Sequence, residues 1–93
     1  MADMKKAVVT VLGYDKKGII AKVSDVLYRN NANILDISQT VLSGFFNMVL
    51  IADIGEDDCD FGAISDELAA YGREFNLQIR VQRSEIFEAM HQI

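Results

Sequence analysis

The side chains that could carry chemistry fall into few groupings. The densest is the acidic run Asp53, Glu56, Asp57, Asp58 and Asp60. Clustered carboxylates can hold a hard cation, but an EF-hand loop needs set ligand spacing and a glycine at its sharp turn, and this run has neither. It reads instead as a solvated loop entering a helix, whose N-terminus favours negative charge. Asp58 or Asp60 is placed to cap that helix. Cys59 is the only cysteine and His91 the only histidine. Together they do not supply the three or four spaced ligands of a zinc site, so no metal is expected. Neither Cys59 nor any serine has a base at recognisable spacing for nucleophilic catalysis. No glycine-rich phosphate motif occurs, and one cysteine cannot hold an iron–sulfur cluster. Tyr14, Tyr28 and Tyr71 read as packing or rim residues. Without a constellation of acid, base and nucleophile, the chain is expected to be no enzyme and to use no cofactor.

Binding chemistry is better supported. Residues 13–20 read GYDKKGII, a turn of Gly13, Tyr14, Asp15, Lys16, Lys17 and Gly18 running into a helix that opens with Ile19 and Ile20. A helix N-terminus carries unpaired N–H groups and a partial positive charge, a natural seat for a carboxylate. Gly18 would let a ligand approach the backbone closely. Asp15 can accept charge-assisted hydrogen bonds from an ammonium group. Asn33 can donate and accept at once, and so can grip either end of a zwitterion. Lys16 and Lys17 stand where cations oppose the helix dipole by about 0.3–1 kcal/mol each. Locally unfavourable choices of this kind mark functional sites, and here they would attract an anion. The same residues also admit a structural reading. Asp15 would be the helix N-cap, Gly18 would serve tight helix–strand packing, and Asn33 would turn the chain out of the helix.

These residues sit on elements that hydrophobic spacing makes legible. Residues 6–13 (KAVVTVLG) are nearly continuous in apolar, β-branched side chains, as a central strand requires. Ile19, Ile20, Val23, Val26 and Leu27 form one helical stripe over 19–30, and Asn30 and Asn31 suit its C-terminus. Residues 33–42 alternate as a strand, with Leu35, Ile37, Gln39 and Val41 on one side and Ile34, Asp36, Ser38 and Thr40 on the other. Ser43-Gly44 makes a tight turn into a strand over 45–54, giving a hairpin. Phe61, Ile64, Leu68, Tyr71 and Phe75 recur at helical spacing, and 77–83 (LQIRVQR) alternates as a half-exposed strand near an edge. Ser84-Glu85 can start a short helix with Ile86, Phe87, Met90 and Ile93 as its stripe. The order β-α-β-β-α-β plus a short α predicts an α+β, ferredoxin-like sandwich. It has a four-stranded antiparallel sheet and both long helices on one face. Apolar residues point both ways in the first and third strands. The second face therefore needs a cover, either the terminal helix or a second subunit.

The bulk numbers agree. Ninety-three residues suffice for one domain. With 51% hydrophobic and 25% charged residues, the composition is globular. The net charge of −5 and nine scattered Lys and Arg residues argue against a nucleic-acid partner. No apolar run approaches the roughly 20 residues of a membrane span, and residues 1–6 open no export signal. A single cysteine is compatible with a reducing cytoplasm.

The element order, GYDKKGII at the first turn and Asn33-Ile34 opening the second strand together resemble the ACT domain. The likeness runs from Met4 to the C-terminus, so residues 4–93 form the expected domain and 1–3 a short leader. It is closest to small bacterial proteins of one ACT domain, in which ISQTVL and a terminal IFEAM-like helix also occur. The resemblance implies a small-molecule-binding regulatory module. Its ligand would be an amino acid bound at the interface of a homodimer, and it would act on a regulated protein. The implied pocket uses Gly13, Tyr14, Asp15, Gly18, Ile19 and Ile20 of one subunit with Asn33 and Ile34 of its neighbour. The sequence departs from many amino-acid-binding members, which place Asn where Asp15 stands and Pro where Lys17 stands. The alternative is a ligand-free adaptor that docks a metabolic enzyme or regulator through its sheet face or terminal helix.

Overall fold

In the computed structural model, which describes residues 5–84, six elements follow in the order the spacing predicts. They are β1 (Lys6–Tyr14), α1 (Ile19–Arg29), β2 (Asn33–Leu42), β3 (Phe45–Asp53), α2 (Phe61–Phe75) and β4 (Gln78–Arg83). The predicted terminal helix, with Ile86, Phe87, Met90 and Ile93, lies outside the described residues.

The sheet order is β2-β3-β1-β4, and every neighbouring pair is antiparallel. β1 and β3 are therefore central, which suits their apolar runs, and β2 and β4 are the edges. Alternation sends Val9 and Val11 of β1, and Phe46, Met48, Leu50 and Ala52 of β3, to one face. There they meet Ile19, Val23, Val26 and Leu27 of α1 and Ile64, Leu68 and Tyr71 of α2 in a single core. Both long helices thus cover one face of the sheet. Leu12, Tyr14, Phe45 and Val49 point to the other face and are exposed. Tyr14 and Phe45 stack there, with ring centroids 4.7 Å apart.

The punctuation residues explain where elements stop. Ser43 and Gly44 both take positive φ (53° and 81°), the backbone of a two-residue hairpin turn whose twist matches the strands it joins. Asn31 and Asn76 take the left-handed conformation after α1 and α2 (φ 63° and 56°), a conformation Asn tolerates better than most residues. Asp60 caps α2, its carboxylate accepting from the Ala63 N–H at 3.0 Å.

One strand departs from simple alternation. The β2–β3 register slips between Ile34 and Asp36. This bulge puts Ile34 opposite Ala52, on the helix side, where it packs against the core. Unbroken alternation had set Ile34 with Asp36, Ser38 and Thr40. One extra residue in a strand flips the face of everything before it.

Candidate functional site

The turn between β1 and α1 is built by backbone. β1 runs on to Tyr14, and the Asp15 N–H donates to the Gly44 carbonyl at 2.8 Å, tying the turn to the β2–β3 hairpin. Gly18 then enters α1 with φ 85°, and no side chain caps the helix. The first helical bond runs from the Lys22 N–H to the Gly18 carbonyl (2.9 Å). Asp15 is thus not the N-cap of α1. Nor does Gly18 serve close packing, since a Cβ there would meet nothing within 4 Å. Its role is conformational, because φ near 85° costs any L-side chain. Gly13 does pack tightly: a Cβ there would lie 2.6 Å from Leu77 Cδ2.

Between the start of α1 and the helix-facing side of β2 lies an open cleft of about 500 Å³. Asp15, Lys16, Gly18, Ile19, Ile20 and Ala21 line one wall. Gln39, Thr40 and Val41, with Phe46 behind them, line the other. Of the sequence-predicted site residues, Asp15, Gly18, Ile19 and Ile20 come together here. Gly13 is spent on packing against Leu77, and Tyr14 stacks on Phe45. Asn33 and Ile34 open β2, opposite Asp53 and Ala52. Six residues of strand, roughly 20 Å, separate Asn33 from Gln39, so Asn33 and Ile34 stand at the end of β2 away from the cleft. Sequence reasoning missed Gln39, Thr40 and Val41. The polar drift of β2 towards its end was visible, but its proximity to α1 is a product of sheet order.

The cleft combines complementary groups. The unpaired N–H groups of an uncapped helix start can receive an anion. The Asp15 carboxylate can receive a cation, the Gln39 amide can donate and accept, and Ile20 and Val41 supply apolar wall.

Other chemistry-bearing residues have structural duties. Asp53 accepts from the Gly55 N–H (2.9 Å), Asp60 caps α2, and the Asp58 carbonyl accepts from the Asn31 side chain (3.1 Å). The acidic run is thus a loop that holds itself to both helices. Cys59 packs against the core from this loop. Burial, then the charges of Asp58, Asp53 and Asp60, push its thiol above its ordinary value, the opposite of an activated nucleophile.

The sequence matches the family model for the ACT domain over residues 5–82. The chain belongs to the ACT-domain family. ACT domains are regulatory modules that bind small molecules. Among curated relatives, a UPF0237 protein of Bifidobacterium longum is 49% identical over 90 residues, covering 97% of this chain and the whole of its own. Among solved structures, an ACT domain protein from Streptococcus pneumoniae is 41% identical with a TM-score of 0.75, covering 92% of this chain and 97% of that one. A formyltetrahydrofolate deformylase from Pseudomonas syringae matches at 25% identity and a TM-score of 0.77. That match covers 88% of this chain but 28% of the deformylase. No helix among the described residues of this ACT domain is long and apolar enough to cross a membrane.

Proposed function

We propose that this ACT domain is a non-catalytic sensor that works as a homodimer and binds an amino acid in the α1–β2 cleft. The observation that carries the reading is the composition of that cleft: an uncapped helix start beside Asp15 and Gln39 with an apolar floor. The α-carboxylate sits at the helix start, the α-ammonium at Asp15, and the side chain between Ile20 and Val41. Occupancy then shifts how the dimer engages a regulated protein, through different affinities for two states. We take residues 4–93 as the domain and the cytoplasm as its compartment.

β2 supports the dimer reading. This strand is a free edge of ten residues. It exposes Leu35, Ile37, Val41 and Leu42, the last at 78%. It carries no Lys or Pro to discourage pairing, which leaves it a template for a second strand. Two copies of β2 paired antiparallel about a two-fold axis at their middle would bring Asn33 of a second copy beside Val41 and Leu42 of the first. That geometry completes the pocket with the Asn33 and Ile34 that one chain holds at the far end.

The test is thermal unfolding of the protein against the twenty amino acids and related metabolites. Ligand at a hundred times its dissociation constant stabilises the native state by about 2.7 kcal/mol. A rise in melting temperature is expected for a narrow group of amino acids, lost in Asp15→Ala, Gln39→Ala and Asn33→Ala. No rise for any amino acid at millimolar concentration would reject the reading in favour of an adaptor that binds protein alone.

A further inference from the structure

A second cleft opens on the opposite side of the α1 start, against the C-terminal end of α2. It holds about 430 Å³ and is lined by Lys16, Lys17, Gly18 and Lys22 from the α1 side, and by Tyr71, Glu74 and Phe75 from α2. Three of the five lysines of an acidic chain thus converge on one hollow. Among the described residues none of the three is in a salt bridge, the ion pairs being Arg29 with Asp25 and with Glu67. Lys22 lies 6.0 Å above the Tyr71 ring. Tyr71 and Phe75 form a tilted pair with centroids 5.1 Å apart, and Phe75 is exposed. Two carboxylates neighbour these lysines, Glu74 in the cleft and Glu67 beside Lys22. Glu67 borders the adjoining groove, held by Asn30 and Arg29.

We propose that this cleft binds a small phosphate monoester carrying a planar ring, in the simplest case a mononucleotide. A phosphate monoester brings close to two negative charges and three strong acceptors. Ammonium groups bind it as point charges, which gives Lys16 and Lys17 ahead of α1, and Lys22 in its first turn, a shared purpose. The exposed Phe75 ring offers a stacking surface for a base, sequence-tolerant and substantial. Glu74 can accept from a sugar hydroxyl or an amino group. It would also repel further phosphates, which favours a monoester over a polyphosphate. The volume lies within the range of small-molecule sites. Lys16 and Gly18 border both clefts, but Lys17, Lys22, Tyr71, Glu74 and Phe75 are absent from the first, so variants at these residues separate this site from the amino-acid reading.

The experiment is calorimetric titration of the full chain with AMP, adenosine and inorganic phosphate at two salt concentrations. The variants are Lys17→Gln with Lys22→Gln, Phe75→Leu, and Asp15→Ala. AMP is expected to bind more weakly at high salt. Adenosine and phosphate are each expected to bind at least about tenfold more weakly than AMP, and the double lysine variant to lose about tenfold in AMP affinity. Phe75→Leu is expected to weaken AMP and leave phosphate unchanged, and Asp15→Ala to leave AMP binding intact. The melting temperature of the unliganded double variant serves as the check on folding. Absence of AMP binding at millimolar concentration would overturn the proposal. So would AMP binding that the folded double lysine variant retains in full, or equal affinity for AMP and phosphate.

Discussion

Gly18 and Gly72 show two different demands that a glycine can answer. At Gly18 the space is empty and the backbone is the constraint, with φ at 85°. At Gly72 the space is the constraint, since a Cβ there would lie 2.7 Å from the Leu77 carbonyl oxygen. Gly18→Ala is therefore expected to cost about 1–2 kcal/mol through backbone strain alone. Gly72→Ala is expected to cost about 1–3 kcal/mol by forcing α2 away from the chain entering β4. Denaturant melts measure both. The two should also separate structurally, because Gly72→Ala shifts the amide resonances of Leu77 and Ile79 while Gly18→Ala shifts those of the α1 turn. At this scale the sequence announced which residues were special but not why. Asp15 read as a cap or as a ligand contact, and only the backbone path shows that the N-cap position of α1 falls to Gly18, with no side chain capping the helix. Gly18, in turn, could be read from sequence as a packing residue. Its positive φ is a property of the path between β1 and α1, which composition does not encode.

The elements themselves were far more legible, because each carries its own period. β2 has the residue bounds that spacing gives, α2 spans its apolar stripe from Phe61 to Phe75, and α1, β1, β3 and β4 differ by a residue at one end. What periodicity misses is how elements meet. The Asn30 side chain donates to Glu67 (2.9 Å) and to the Val26 carbonyl (2.8 Å), while Arg29 donates to Glu67 and Asp25, both at 2.8 Å. This cluster braces the end of α1 against the middle of α2, and its partners are 37 and 38 residues apart in sequence. The hydrogen bonds from Asn30, then Arg29, hold the Glu67 carboxyl below its usual range. A carboxyl that titrates lower in the folded chain than in the unfolded one binds its proton more weakly when folded. Its stabilising contribution is then complete above the unfolded value and is lost as pH falls through the lowered one. Wild type is expected to exceed Glu67→Gln in stability near neutral pH by a constant margin. That margin should shrink once pH drops below about 4. Urea melts across that range check this, and a margin that instead grew on acidification would reject the brace. The β2 bulge was equally hidden, since alternation presumes that no residue is skipped, and with it went the true placement of Ile34.

For the whole molecule, the sheet ends unequally. β4 is a short edge of six residues carrying Arg80 and Arg83, whereas β2 is a ten-residue edge with exposed aliphatic side chains. Charge on an edge discourages strand addition. If β2 is the seam between two copies, Ile37→Lys at its middle is expected to convert a dimer to a monomer in sedimentation, with the sheet and helix content of the circular dichroism spectrum preserved. A variant that stays dimeric would move the seam elsewhere, to the exposed Tyr14–Phe45 face.

The separation of Asn33 from Gln39 along one strand has a kinetic and cellular side. A binding site divided between two molecules exists only while they are together, so its apparent affinity rises with the protein's own abundance. Such a sensor would not report metabolite level alone. At low expression it would be deaf to concentrations that saturate it at high expression, and dilution would release the ligand by splitting the site. Half-saturation measured at several protein concentrations would therefore trace a family of curves, converging only where dimerisation is complete.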